Sequence, residues 1–237
     1  MSENKLQKSK RARNLSLFVL LVLALSCWGL YAISSSLGGS SISSNSSSGP
    51  STRSTAAPIT FSAIRLNGRG DDVVSLEKPD VPAILHLTHQ GSSNFVVINY
   101  DANGETIDLL VNEIGRYDGV RPLDFAVGES TDGLEIQADG SWTAIVEPVT
   151  VAKSVAVPNS GYDGRGDAVL RLTGSDPDTA TFSHSGDSNF VVQAYGNTRH
   201  LLVNEIGDYN GTVIVPRDTV VLEVIADGHW HMVITGR

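Results

Sequence analysis

From residue 59 onward, hydrophobic and polar residues alternate in short runs, broken by glycine- and aspartate-rich positions. In LEIQADG (134–140), Leu134 and Ile136 fall on one side and Glu135 on the other; LEVIADG (222–228) repeats this with Leu222, Val224 and Glu223. Such period-two alternation is what a half-buried strand requires. The Asp-Gly pairs at 139–140 and 227–228 predict tight hairpins. The strands that follow place Trp142, Ala144 and Val146, and then Trp230, Met232 and Ile234, on one face each. SNFVVINY and SNFVVQAY are aromatic and β-branched runs that predict further strands. Asn103-Gly104 in DANGE signals another hairpin, for which the later YGNT substitutes.

The pattern is written twice. GRGD at 68–71 returns at 164–167, HQGSSNFVV from His89 returns as HSGDSNFVV from His184, and LLVNEIG at 109–115 returns at 201–207. Tyr117-x-Gly119 matches Tyr209-x-Gly211, and ADGSW ending at Trp142 matches ADGHW ending at Trp230. The spacing between equivalents falls in steps from 96 to 88, so length changes lie between the matched blocks, as loops behave in a duplicated fold. The expectation is an all-β body of two tandem small β-sandwich, jelly-roll-like modules, 59–148 and 149–237, with seven or eight short strands each. The connector PVTVAK is short and apolar, which predicts a rigid pair.

Ahead of this body the hydropathy changes character. Residues 15–33, LSLFVLLVLALSCWGLYAI, carry no charge, and about 20 such residues cross a hydrocarbon core as a helix. Lys5, Lys8, Lys10, Arg11 and Arg13 against Glu3 give the 1–14 tail a balance of +4, leaving −13 for the remainder of a chain with net charge −9. A basic N-terminal flank predicts a cytoplasmic tail and a cell-membrane protein with its C-terminal body extracytoplasmic. A cleaved signal peptide, or a lipoprotein signal ending at Cys27, would deliver the body to the same side. Residues 34–58 are a Ser/Gly-rich run read as a disordered linker, spanning roughly 25–30 Å as a flexible coil.

Composition excludes several classes. An acidic body argues against nucleic acid as a partner. Cys27 is the only cysteine, so there is no disulfide framework and no thiol nucleophile in the body. Neither G-x-S-x-G nor H-E-x-x-H occurs, and no phosphate-cradling glycine loop of the right form.

The combined string G-x-G-D-x-V, H-x-G-x-S-N-F-x-V, L-L-V-N-x-I-G-x-Y-x-G and A-D-G-x-W resembles a module of secreted and membrane-anchored actinobacterial proteins, over nearly the whole body. The resemblance implies location and fold and brings no activity with it. It also implies that Arg69 and Arg165 are incidental, because the position between the two glycines is often serine or another small residue.

Two kinds of residue then stand out. Gly68, Gly70, Asp71, Gly164, Gly166 and Asp167 read as turn builders, the glycines supplying positive φ and the aspartates capping backbone N–H groups. Trp142 and Trp230 read as core rather than as sugar platforms. Asn94, Asn112, Glu113 and Tyr117, with their equivalents Asn189, Asn204, Glu205 and Tyr209, are polar residues kept in both copies at strand ends, the composition of a ligand site. No cofactor is expected, although Asp71, Asp72, Glu113 and Asp139 offer oxygens that suit structural calcium. His229 and His231 share a strand face, a weak zinc hint absent from the first copy. The function expected is a non-catalytic envelope-interaction protein that docks a cell-wall glycan or surface protein. The alternative is an assembly partner of a membrane or secreted complex without a small ligand. A minor alternative is an enzyme using an unrecognised carboxylate pair.

Overall fold

The computed structural model describes residues 60–237, so the segments expected to be a tail (1–14), an anchor (15–33) and a linker (34–58) lie outside the described residues. What is described is all-β. The first repeat contributes β1 (Ile64–Arg69), β2 (Asp72–Ser75), β3 (Ala83–Gln90), β4 (Asn94–Tyr100), β5 (Thr106–Ile114), β6 (Tyr117–Leu123), β7 (Gly133–Ala138) and β8 (Ser141–Pro148). A single 3-10 turn at Val149–Val151 leads into β9 (Lys153–Val157). The second repeat follows with β10 (Asn159–Arg165), β11 (Ala168–Gly174), β12 (Pro177–Ser185), β13 (Asn189–Tyr195), β14 (Arg199–Ile206), β15 (Tyr209–Ile214), β16 (Val221–Ala226) and β17 (His229–Gly236).

In the first repeat, β1 pairs antiparallel with β8, β2 with β7, β3 with β6 and β4 with β5. That is one long hairpin, rolled so that β3 also meets β8 and β4 also meets β7. Two four-stranded sheets result, in the orders β1-β8-β3-β6 and β2-β7-β4-β5. The second repeat gives β10-β17-β12-β15 and β14-β13-β16-β11, the same order strand for strand. It differs by one addition: β9 lies parallel to β11 and covers its edge. The connector PVTVAK forms a 3-10 turn and its last residue, Lys153, opens that strand, and β2, the counterpart of β11, has no such neighbour among the described residues.

Alternation sorts the side chains as the sequence pattern requires. Phe95, Val97, Leu134, Ile136, Trp142, Ala144 and Val146 fill the core between the first two sheets. Phe190, Val192, Leu222, Val224, Trp230, Met232 and Ile234 fill the equivalent core of the second pair, a sandwich-like packing in both repeats. Both tryptophans are buried and neither presents a ring to solvent.

The GRGD stretch builds a turn around a tryptophan. Gly68 pairs across the sheet with Trp142, and Gly164 with Trp230. A Cβ at either glycine would overlap the indole ring, so these two glycines serve close approach rather than the positive φ expected of them. Positive φ belongs to Gly70 (77°) and Gly166 (68°), whose carbonyls accept the indole N–H of Trp142 and Trp230, each at 3.0 Å. Asp71 Oδ1 then accepts the Ala138 N–H at 2.9 Å, and Asp167 Oδ1 the Ala226 N–H at the same distance. Arg69 and Arg165 point into solvent and take no part.

Gly164→Val should therefore destabilise by about 1–3 kcal/mol through overpacking against Trp230. The Arg69→Ala, Arg165→Ala double variant should stay within about 0.5 kcal/mol of the parent. Urea unfolding midpoints at constant slope are the measurement for both.

Candidate functional site

Most of the repeated signature turns out to hold the fold. His89 is wholly buried, stacked on Phe95 with ring centroids 4.5 Å apart and planes 6° from parallel. Its Nδ1 donates to the Gly115 carbonyl at 2.7 Å, and its Nε2 lies 3.3 Å from Asp139 Oδ1. His184 repeats this on Phe190, Gly207 and Asp227 at 4.5, 2.8 and 3.5 Å. A Cβ at Gly91 or Gly186 would strike the histidine ring and the aspartate. Asp139 in turn accepts from the Ser92 and Ser93 backbone N–H groups and the Ser92 hydroxyl, all at 3.0–3.1 Å. The tyrosine ring of Tyr117 lies on Gly119, and that of Tyr209 on Gly211. Histidine, both glycines, serine, phenylalanine, aspartate and tryptophan of the signature are thus scaffold. The Asn103-Gly104 hairpin forms as expected, with Asp101 Oδ1 accepting the backbone N–H groups of Asn103 and Glu105.

The remaining signature residues sit differently. β4 pairs with β5 so that Val96 faces Asn112, Phe95 faces Glu113 and Asn94 faces Ile114. Because side chains alternate, Asn94 and Asn112 share the outer face, while Glu113 points to the other side. Asn189 and Asn204 repeat the arrangement on β13 and β14, with Glu205 on the opposite side. The two amides of each pair are diagonal neighbours, about 7–8 Å apart between Cα atoms. Tyr117 belongs to neither group, being buried, while Tyr209 is half-buried against Phe190. The eight residues are therefore divided between an outward amide pair, a carboxylate on the reverse and a tyrosine at the sheet edge, in each repeat.

A second, unanticipated cluster joins the repeats. Tyr117 donates its hydroxyl to Asp167 Oδ2 at 2.7 Å. Arg121, on the same edge strand β6, is 3.4 Å from Asp167 Oδ2 and 3.4 Å from Glu223 Oε1. Glu223 Oε2 accepts from the Tyr195 hydroxyl at 2.7 Å and from Gln193 Nε2 at 3.1 Å. The Val120 N–H reaches the Asp167 carbonyl at 3.3 Å. Ile84, Ala152, Val169, Tyr195 and Val221, with Val120, Phe125 and Val149, form an apolar ring around these charges. Phe125 packs on Tyr195 at 5.2 Å, and Arg199 sits over the other part of that ring while pairing with Asp108 at 3.4 Å.

Burial works against the Arg121 charge, but the Glu223 and Asp167 carboxylates outweigh it and hold the guanidinium more firmly protonated than usual. Burial, then the Asp167 charge, pushes the Tyr117 hydroxyl well up, so it stays a donor. Tyr195 is raised likewise by burial and by Glu223. A separate buried pair, Lys78 and Asp124 at 2.5 Å, closes the end of the first repeat; Asp124 also accepts from Thr131 N and Oγ1. Nothing in the alternation marked Arg121, Lys78 or Asp124 as buried, since each is paired by residues distant in sequence.

Among the described residues no group of three or more histidine, cysteine, aspartate or glutamate side chains could hold a metal ion. Asp71 and Asp139 spend oxygens on backbone N–H groups, and His231 pairs with Asp163 at 2.9 Å.

Arg121→Met leaves two buried carboxylates without their cation and should cost about 3–5 kcal/mol, read from chemical unfolding. Acid should weaken the histidine-bearing ends of the sandwich. The Ser92 and Ser93 N–H groups hold the Asp139 carboxyl below the usual carboxylate range. Its folded value is lower than its unfolded value of about 3.9, so its contribution is full above that pH and is lost as pH falls through the folded value. Asp139→Asn should accordingly show a smaller drop in urea midpoint between about pH 6 and about pH 3 than the parent.

No family model matches the chain, and no curated protein matches it. Solved structures give distant likenesses. The protein YhaK from Escherichia coli aligns over 73% of this chain and 84% of its own at 11% identity and a TM-score of 0.23. The major capsid protein P2 from bacteriophage PM2 covers 75% and 91% at 10% identity and 0.21. The glycoside hydrolase domain of Endo-D from Streptococcus pneumoniae R6 covers 69% of this chain but 33% of that one, at 12% identity and 0.21.

Proposed function

We propose that this chain is a non-catalytic binding protein of the cell envelope, anchored by residues 15–33 and displaying two jelly-roll modules, 59–148 and 149–237, outside the cytoplasm. The observation that carries it is what remains of the signature once its scaffold residues are accounted for. Asn94 with Asn112, and Asn189 with Asn204, recur in both repeats on an outward sheet face, and their side chains make no hydrogen bond among the described residues. An amide offers two donors and an acceptor, which suits the hydroxyl-rich surface of a cell-wall glycan or the polar surface of another protein. Duplication then multiplies the strength of a weak contact through effective concentration. Glu113 and Glu205 on the reverse side, and Tyr117 and Tyr209 at the edge, belong to the proposal only as neighbours of this face.

A second reading has its own observation. The outer sheet face of the second repeat already receives a strand edge, β6, through Asp167, Glu223 and an apolar ring. A surface that accepts a protein edge within the chain supports a role in assembling a membrane or secreted complex, with no small ligand.

The test uses the full chain in detergent against purified peptidoglycan, wall polysaccharide and envelope proteins. Retention on glycan that drops at least about tenfold in Asn112→Ala, Asn204→Ala would support the first reading. Protein capture with undiminished binding by that variant would move the function to assembly, and no retention on either material would sink both.

A further inference from the structure

The junction between the repeats joins two unlike surfaces. The first repeat supplies the β6 edge; the second supplies the outer face of the β11-β16-β13 sheet. Each repeat carries both surfaces, so one of each is left uncovered among the described residues. On the first repeat the unused face holds Asp71, Val73, Tyr100 and Glu135, the counterparts of Asp167, Val169, Tyr195 and Glu223. Valine occupies the same position in both, yet Val73 is 74% exposed and Val169 only 4%. On the second repeat the unused edge is β15, with Tyr209, Thr212 and Ile214 standing where Tyr117, Val120 and Pro122 stand on β6. Ile214 is 75% exposed.

We propose that the chain associates head to tail with a second copy of itself, the β15 edge of one molecule seated on the β2-β7-β4 face of the next. This rests on the second reading above, that the sheet face accepts a strand edge, and not on the asparagine face. The chemistry of the leftover surfaces fits. Asp71 Oδ1 is taken by the Ala138 N–H, and Oδ2 is the atom whose counterpart in Asp167 receives the Tyr117 hydroxyl. Tyr209, the counterpart of Tyr117, has no hydroxyl partner among the described residues. The leftover edge differs from the seated one at Val213 for Arg121, Thr212 for Val120 and Ile214 for Pro122, and the leftover face differs at Gly133 for Val221, Ile98 for Gln193 and Gln137 for Ile225. Glu135 takes Tyr100 on one oxygen at 2.7 Å and Gln137 on the other at 3.1 Å, whereas Tyr195 and Gln193 both donate to Glu223 Oε2 and leave Oε1 to the arginine. Seating β15 there would cover Val73, an exposed apolar residue on a strand whose outer edge has no neighbour among the described residues. Because the two surfaces are unlike, the contact leaves a free surface at each end of a dimer and continues into a ring or a filament.

Val169 and Val120 share the apolar ring of the internal junction, so their counterparts Val73 and Thr212 should meet across the proposed contact. The experiment uses the full chain with Cys27→Ser, carrying Val73→Cys, Thr212→Cys or both, under mild oxidation. Mixing the two single-cysteine chains should give disulfide dimers, the double variant should give a ladder, and each single variant alone should stay uncrosslinked. Both sites are exposed, so folding is not at stake, and Val73→Asp should weaken association at least about tenfold by sedimentation. A chain that sediments as a monomer and gives no mixed crosslink overturns the proposal. So does a single variant that crosslinks to itself, which would mean a symmetric contact. Envelope binding lost in the asparagine variant with the ladder intact would bear on the first reading alone, and glycan or protein retention by a strictly monomeric chain would leave a functional reading standing while removing this one.

Discussion

A carboxylate withdrawn from water needs a counter-charge or several N–H donors within reach, or it returns to water. At the meeting of the two repeats this requirement is met from both sides at once. Asp167 gives one oxygen to the backbone of its own repeat and the other to Tyr117 and Arg121 of the first. Glu223 is shared in the same manner, between its own tyrosine and glutamine and the foreign guanidinium. Neither half can leave without exposing an unmatched buried charge, so the orientation of the repeats follows from the pairing. The apolar ring keeps water out and so raises the cost of separation further.

The two repeats show how little change turns a free surface into a joined one. The face around Glu135 is open and the face around Glu223 is covered, and the backbone pairing of the two is the same. The differences are a handful of side chains: Val221 for Gly133, Ile225 for Gln137, Gln193 for Ile98, and an arginine on β6 where β15 has Val213. The second repeat carries more apolar bulk where the partner strand sits, its glutamate takes the amide of Gln193 where Glu135 takes that of Gln137, and a cation reaches it from the other side. The carboxylates themselves were already present in both copies.

Much of this fold was legible from alternation alone. The inward faces of the tryptophan strands, the Asp-Gly and Asn-Gly hairpins and the all-β class need only a period of two and the rules of tight turns. Adjacency in sequence groups Asn112 with Glu113, although the same period of two sends adjacent side chains to opposite faces. The glycines of GRGD suggest positive φ, and for Gly68 and Gly164 the operative fact is an indole ring on a neighbouring strand, invisible without register. Arg121 had no signal at all. A charge in YDGVRPL reads as solvent-facing, and its burial depends on a carboxylate 46 positions away in the other repeat. Val73 and Val169 make the same point from the apolar side, since one residue type at one position of one fold is exposed or buried according to its neighbour.

The connector has a consequence of its own. It runs directly into β9, which is hydrogen-bonded along β11 from Lys153 beside Leu170 to Val157 beside Gly174. A linker that runs into a sheet has surrendered its torsional freedom, and the two halves move as one body. Their outward asparagine pairs are therefore held at one separation and one relative angle, like marks on a ruler. A flexible tether would let two weak sites find any two targets within reach; under the proposed function a fixed one would admit only a surface whose own repeat matches the spacing, and selectivity between polymers of similar chemistry would come from geometry rather than from either contact.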